Sequence, residues 1–254
     1  MTLKGKNGLV VGIANSHSIA WGCAQAFHQA GASLAVTYLN EKALPFVQPL
    51  AEQLDAALIL PLDVRDDAQL EAVFVAIDQK WGKLDFLLHA VAYAPKSDME
   101  GRMADTSRQG FLEAMNISCY SFVRMAHLAE PLMQNGGCLL TTTYYGSEKV
   151  ISHYNVMGPV KAALESTVRY LAADLGPRHI RVNALSPGPI VTRAASGIAH
   201  FDELVQLARE KSPAHEAVCI DCVGAYASFL VSDGARLVTG SIAYVDAGFN
   251  VMGS

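Results

Sequence analysis

The sequence predicts a doubly wound α/β fold, one parallel sheet of seven strands with helices on both faces. Three observations point there. Short β-branched or leucine-rich runs alternate with longer stretches of helical period from end to end. Runs such as Gly8-Leu9-Val10-Val11-Gly12 and Phe86-Leu87-Leu88 are continuously apolar, as strands buried on both faces require. The chain has 254 residues, 51% of them hydrophobic and 17% charged, enough for one large core and far from the composition of a disordered chain.

The strands are expected, in order, at 8–12, 33–38, 57–62, 85–92, 137–143, 180–186 and 242–245. Between them, Ile19, Cys23, Ala26 and Ala30 are spaced as one face of a helix, and so are Leu164, Val168, Leu171 and Leu175. Each step between parallel strands needs a right-handed crossover, which sends the helices to both faces. No repeat, low-complexity tract or shift of composition marks a linker, so residues 1–254 read as a single domain. Ser186-Pro187-Gly188-Pro189 opens a long insertion over 188–211, and a loop of that length at a strand end usually serves a site.

The 19 Lys and Arg stand against 24 Asp and Glu, a net charge of −5, with no basic run to neutralise successive phosphates. Nucleic acid is therefore not an expected partner. The apolar runs fall far short of the ~20 residues that cross a bilayer, so no membrane partner is expected either. The first residues lack an apolar segment with a cleavage site, which predicts a cytoplasmic protein. Five scattered cysteines, Cys23, Cys119, Cys138, Cys219 and Cys222, do not form a disulfide framework. Cys219-x-x-Cys222, with His215 upstream, raises a metal or redox role. With no second pair, two reduced cysteines near the start of a late helix and no metal site are expected.

Ligands of open α/β sheets bind at the C-terminal strand ends where strand order reverses. The first such end is Gly12, whose lack of a side chain permits a sharp turn. Ser16 or Ser18 is placed to cap the following helix, whose free N–H groups would face an anion such as a pyrophosphate. The same strand-turn-helix also occurs in α/β proteins that hold no nucleotide. The second strand ends in Tyr38-Leu39-Asn40-Glu41-Lys42, without an Arg for a ribose phosphate, which favours NADH over NADPH; Lys42 argues the other way. Tyr154 and Lys161, seven apart on one predicted helix, would differ by only about 20° around its axis. Tyr144, ending the fifth strand, shares their rim of the sheet. A half-buried tyrosine and a snorkelling lysine would give the same spacing.

Taken in order, Gly12-x5-Ser18-Ile19-Ala20, Asp63-Val64, His89-Ala90-Val91-Ala92-Tyr93-Ala94-Pro95, Tyr144-x9-Tyr154-x6-Lys161 and Pro189-Ile190-x-Thr192-x-Ala194 resemble the NADH-dependent enoyl-acyl-carrier-protein reductases. These are a divergent branch of the short-chain dehydrogenases, with a Rossmann-like sheet. The resemblance runs through nearly the whole chain. It implies NADH-dependent reduction of the double bond of a trans-2-enoyl thioester in type II fatty acid synthesis. It also implies an acyl-carrier protein bearing an enoyl chain as partner, and a homotetramer.

Residue by residue, the resemblance assigns Gly12, Ser18 and Ile19 to a pyrophosphate turn, Leu39 to the adenosine ribose, and Asp63 and Val64 to the adenine pocket. Val91 would lie under the adenosine end, and Ile190, Val191, Thr192, Arg193 and Ala194 would hold the nicotinamide amide and phosphates. Lys161 would hold ribose hydroxyls. Ala94, Tyr144 and Tyr154 would meet substrate, with Tyr154 donating to the thioester oxygen. The insertion at 188–211 becomes a lid, beside which Arg193, Arg209 and Lys211 form either a patch for an acidic carrier or ordinary surface charge. Pro159 predicts a kink, or a later start, in the helix carrying Lys161. A carbonyl reductase of the same superfamily would need Ser thirteen before Tyr154 and Lys four after it. Thr141 and Gly158 stand there instead. A non-catalytic dinucleotide-binding regulator would not need Tyr154 and Lys161, which are present.

Overall fold

A computed structural model describes residues 2–192 and 201–253. In chain order its elements are β1 (Asn7–Val11), α1 (Ile19–Gln29), β2 (Ser33–Tyr38), α2 (Leu44–Gln53), β3 (Leu58–Pro61), α3 (Asp67–Trp81) and β4 (Phe86–His89). A short α4 (Lys96–Met99) and α5 (Arg108–Met115) follow, and a π turn at Asn116–Tyr120 leads into α6 (Ser121–Ala129). The second half comprises β5 (Gly137–Thr142), α7 (Met157–Leu175), β6 (Ile180–Pro187), α8 (Phe201–Lys211), α9 (Ile220–Val231) and β7 (Ile242–Val245).

All seven expected strands form. They make one parallel sheet in the order β3-β2-β1-β4-β5-β6-β7, the Rossmann-like arrangement. Strand order reverses between β1 and β4, where Val11 lies beside His89. The fourth strand stops at His89, short of its expected end at 92, and the chain from Ala90 onward runs along the rim.

Side chains alternate along each strand, and that period divides the core in two. Leu9, Leu87, Leu139 and Val182 face α3, α6 and α7, meeting Phe74, Phe122, Met125, Leu164 and Val168. Val10, Phe86, Leu88 and Leu140 face the other way, towards Trp21, Phe27, Val47 and Leu230 of α1, α2 and α9. Both faces of the sheet are thus sealed. Among the described residues no helix is long and apolar enough to cross a membrane.

Two expectations about local structure are corrected. Tyr154 is not on a helix with Lys161, because α7 begins only at Met157. His153 and Asn155, at φ of 61° and 38°, hold the preceding residues in a left-handed turn. The Asn155 side chain ties this turn to the carbonyl of Asp98 at 3.0 Å. Pro159 therefore sits in the first turn, where the backbone N–H groups have no helical acceptor, and it kinks nothing. Cys219 and Cys222, expected as two reduced cysteines, are joined by a disulfide across the first turn of α9. Cys219 is the N-cap in extended conformation (φ −116°, ψ 154°), which swings its side chain over the turn. The two Cα atoms are 5.2 Å apart, within reach of a bridge.

Helices α1 and α9 pack backbone to backbone. A methyl group on Gly22 would come closer than 3.0 Å to the carbonyl of Ile220, and one on Gly224 equally close to the carbonyl of Gly22. Replacing a mid-helix glycine by alanine ordinarily helps by about 1 kcal/mol. Here the clash decides the sign, and Gly224→Ala should lose about 1–3 kcal/mol of stability, as overpacked sites do, measured by urea unfolding.

Candidate active site

The crevice at the strand-order reversal begins at Gly12, whose φ of 115° suits only glycine. Any Cβ there would strike the carbonyl of Ala90, so the ends of β1 and β4 approach as closely as bare backbone allows. Ser18 follows as the N-cap of α1, but its side chain makes no capping bond. Its hydroxyl oxygen instead accepts from the backbone N–H groups of Ala14 and Asn15, at 3.0 and 3.1 Å, and so holds the turn from inside. The expected helix cap is therefore a turn clamp, and the first N–H groups of α1 remain for a ligand.

Along the rim towards β3, Leu39 is 54% exposed beyond β2, and Asn40 closes a turn by accepting from the N–H groups of Lys42 and Ala43. The Asp63 carboxylate is gripped by Arg65 at 2.6 Å, which holds it below the usual carboxylate range. Its backbone N–H donates to Gln69. Val64 is buried in the core, and Val91 packs against the same cluster.

Past β4 the rim is held from beneath. Ser118, in the π turn, accepts from the N–H of Tyr93 at 2.9 Å and donates to its carbonyl at 3.1 Å. His89 is fully buried between Thr141 and Ser121. Its ring meets the Thr141 hydroxyl at Nδ1, 2.9 Å, and the Ser121 hydroxyl at Nε2, 2.8 Å, while those hydroxyls also donate to the carbonyls of His89 and Ile117. Burial, with Lys161 nearby, pushes His89 down to about 3, and the ring is neutral.

A small apolar cluster lines the crevice above β5. Tyr154, Val156, Met157, Val160 and Ala114 form it, with Ala94, Met99, Tyr144 and Ile151 packed around. The rings of Tyr144 and Tyr154 meet edge to face, centroids 5.0 Å apart. Gly146 lies against the Tyr154 ring, where a Cβ would collide with it. Burial raises both phenols well above their ordinary value, so both remain neutral O–H donors across the working range of pH. The Tyr144 hydroxyl is buried without a hydrogen-bond partner, as is that of Ser186 near the end of β6.

Lys161 is 4% exposed and donates to the carbonyl of Thr142 at 2.7 Å. One turn further along α7, buried Glu165 accepts from Thr143 at 2.7 Å and from Ser147 at 2.6 Å. It thereby fixes the segment that carries Tyr144 and Gly146, and its charge acts on both Tyr154 and Lys161. Glu165 and Ser118 were not among the residues expected from sequence. Glu165 left a signal there, a carboxylate on the apolar stripe of α7 between Leu164 and Val168.

The structure thus brings Tyr144, Tyr154, Ala94 and Lys161 to one wall and Gly12, Ser18 and Ile19 to the adjoining turn. Ile190 packs against the core beside them, and Val191 is 59% exposed. Thr192 follows, and Arg193 and Ala194 lie outside the described residues, as does part of the expected lid at 188–211. Two unpartnered buried hydroxyls and a glycine cradle at a helix N-terminus fit a dinucleotide with a substrate beside it. Among the described residues no three His, Cys, Asp or Glu side chains are grouped to hold a metal ion.

A family model described as Enoyl-(Acyl carrier protein) reductase matches residues 12–250. The chain belongs to that family. It is 48% identical over 251 residues to Enoyl-[acyl-carrier-protein] reductase [NADH] 1 of Rhizobium meliloti, covering 99% of this chain and 92% of the relative. It is 48% identical over 256 residues to a Synechocystis enoyl-[acyl-carrier-protein] reductase [NADH] FabI, covering 100% and 99% of the two chains. The crystal structure of the reductase from Anaplasma phagocytophilum in complex with NAD superposes with a TM-score of 0.97 at 48% identity, covering 100% of this chain and 97% of that one.

Burial pushes Lys161 down to about 8 from 10.5. Between those values the unfolded chain binds the extra proton, so this group makes stability rise with pH. Relative to Lys161→Met, the wild type should gain about 2 kcal/mol between pH of about 7.5 and about 9.5, read by urea unfolding at each pH.

Proposed function

We propose that this reductase uses NADH to saturate the double bond of a trans-2-enoyl thioester carried by an acyl-carrier protein, in type II fatty acid synthesis. The observation that carries the reading is the pair of neutral, buried tyrosine hydroxyls on an apolar wall beside buried Lys161. When bound, the reduced nicotinamide supplies a hydride to the β-carbon of the substrate. Negative charge then develops on the thioester oxygen. Tyr154 donates its O–H to that oxygen, an interaction stronger in the transition state than in the ground state. Tyr144 lines the acyl pocket with Ala94, and its buried hydroxyl has no hydrogen-bond partner in the protein.

Lys161 holds ribose hydroxyls, which fixes the cofactor for transfer. The Gly12 turn, with Ser18 and the start of α1 at Ile19, receives the pyrophosphate. Leu39, Asp63, Val64 and Val91 border the adenosine. Ile190, Val191 and Thr192, together with Arg193 and Ala194 outside the described residues, are assigned to the nicotinamide end. The segment 188–211, part of which lies outside the described residues, is assigned the role of a lid over the acyl chain, and Arg209 and Lys211, in the last turn of α8, offer positive charge to an acidic carrier. The reading places the enzyme in the cytoplasm, as a homotetramer. Thr141 and Gly158, where a carbonyl reductase would have its Ser and Lys, favour the enoyl over the oxoacyl substrate.

The test follows NADH absorbance with crotonyl and longer enoyl thioesters beside an oxoacyl thioester. Consumption with the enoyl compounds is expected, and consumption with the oxoacyl compound alone would replace this reading by that of a carbonyl reductase. Tyr154→Phe should lower kcat by about 10²–10³, the usual cost of losing an oxyanion donor. Lys161→Ala should raise the dissociation constant for NADH as well as slow turnover. An unchanged constant, measured by cofactor fluorescence, would remove its ribose role.

A further inference from the structure

Three of the five cysteines, Cys23, Cys119 and Cys138, are buried, and burial raises each thiol, Cys23 to about 12. They are inert. Cys219 and Cys222 are both exposed and already joined. Cys219 caps a twelve-residue helix, and its sulfur accepts from the N–H of Cys222 at 3.1 Å. Both sulfurs are therefore at the exposed start of the helix, with Cys222 one turn from Cys219 to resolve a mixed disulfide formed there.

This pair lies between two segments that adjoin the proposed cofactor residues, α1 beyond Ile19 and the stretch before Ile190. Ile220, between the cysteines, presses its carbonyl against Gly22 of α1, the helix that starts at the turn of Gly12 and Ser18. Val218, on the other side of Cys219, packs against Gly188, where a Cβ would come within 2.9 Å of its side chain. The start of α9 and the residues just before it thus lie directly against both segments.

We infer that Cys219 and Cys222 are a redox couple, closed by a small disulfide and opened by thiols, whose state sets the affinity of the neighbouring site for NADH. The coupling rests on the assignment of that site to a dinucleotide; the redox chemistry does not. In closure, the Cys219 thiolate attacks one sulfur of the oxidant, forming a mixed disulfide and releasing one thiolate. Cys222 loses its proton, and its thiolate attacks the Cys219 sulfur, expelling the second. The pair gives up two electrons and two protons, and the oxidant is reduced to two thiols.

The whole protein is equilibrated in glutathione buffers of graded oxidised-to-reduced ratio, alkylated, and analysed by mass spectrometry of its peptides. Loss of the Cys219 and Cys222 thiols together, with the other three retained, is expected. Cys222→Ser should stop at a mixed disulfide on Cys219. A pair that stays reduced throughout, or a Cys222→Ser protein that takes up no glutathione, would overturn the couple. NADH titration of the oxidised and reduced forms should give dissociation constants that differ at least about fivefold, and saturating NADH should shift the glutathione midpoint by the same factor. The double variant Cys219→Ser with Cys222→Ser should show one constant in either buffer. Closure with equal constants in the two forms would overturn the coupling alone. Binding by neither form would overturn the dinucleotide assignment as well.

Discussion

A parallel strand cannot pair with its neighbour without a crossover, and on that constraint the rest of the molecule depends. The first half of the chain winds outward from β1 to β3, and the second starts again beside β1 and winds the other way. The loops after β1 and β4 therefore leave the sheet in opposite directions and open a crevice between them. Gly12 and Ala90 meet there with only backbone between them, which brings the N-terminus of α1 against the floor of the crevice. The described groups that act in the proposed reaction are carried on the same rim.

The chemistry follows from how dry that rim is. Tyr144 and Tyr154 pack in an apolar cluster and Lys161 is 4% exposed, so water does little to stabilise their charged forms. The phenols are kept protonated and the lysine is brought towards neutrality at moderately alkaline pH. A protonated phenol is a donor ready for an incipient oxyanion, which costs no reorganisation when charge appears. Glu165 offsets part of the penalty for burying the lysine, and it spends one carboxylate oxygen on two hydroxyls that shape the tyrosine loop. Neutral His89 beneath them fastens β4 to β5 and to α6 without adding a charge.

Much of this was legible from residue order. Continuous apolar runs marked the seven strands because both faces of a parallel sheet are covered. Tyr144, Tyr154 and Lys161 stood out by type and position, and the ordered motifs named the family that the comparisons bear out. Their geometry was another matter. A seven-residue spacing suggests one helical face, but His153 and Asn155 turn left-handed and Tyr154 reaches the wall from a turn. That conformation rests on a bond from Asn155 to Asp98, distant in sequence. Ser18 likewise had the right residue type for a cap, and the fold used it to clamp the turn before the helix.

The sequence by itself determined the class of fold, the number of strands and the chemical character of the site, because these depend on local period and residue type. Only the tertiary structure decided how Glu165 and Ser118 brace the rim, that glycines 22 and 224 let α1 and α9 touch, and that Cys219 and Cys222 close across a turn. Each of these is set by distance and direction in space. Residue order limits such pairings, but packing selects among them.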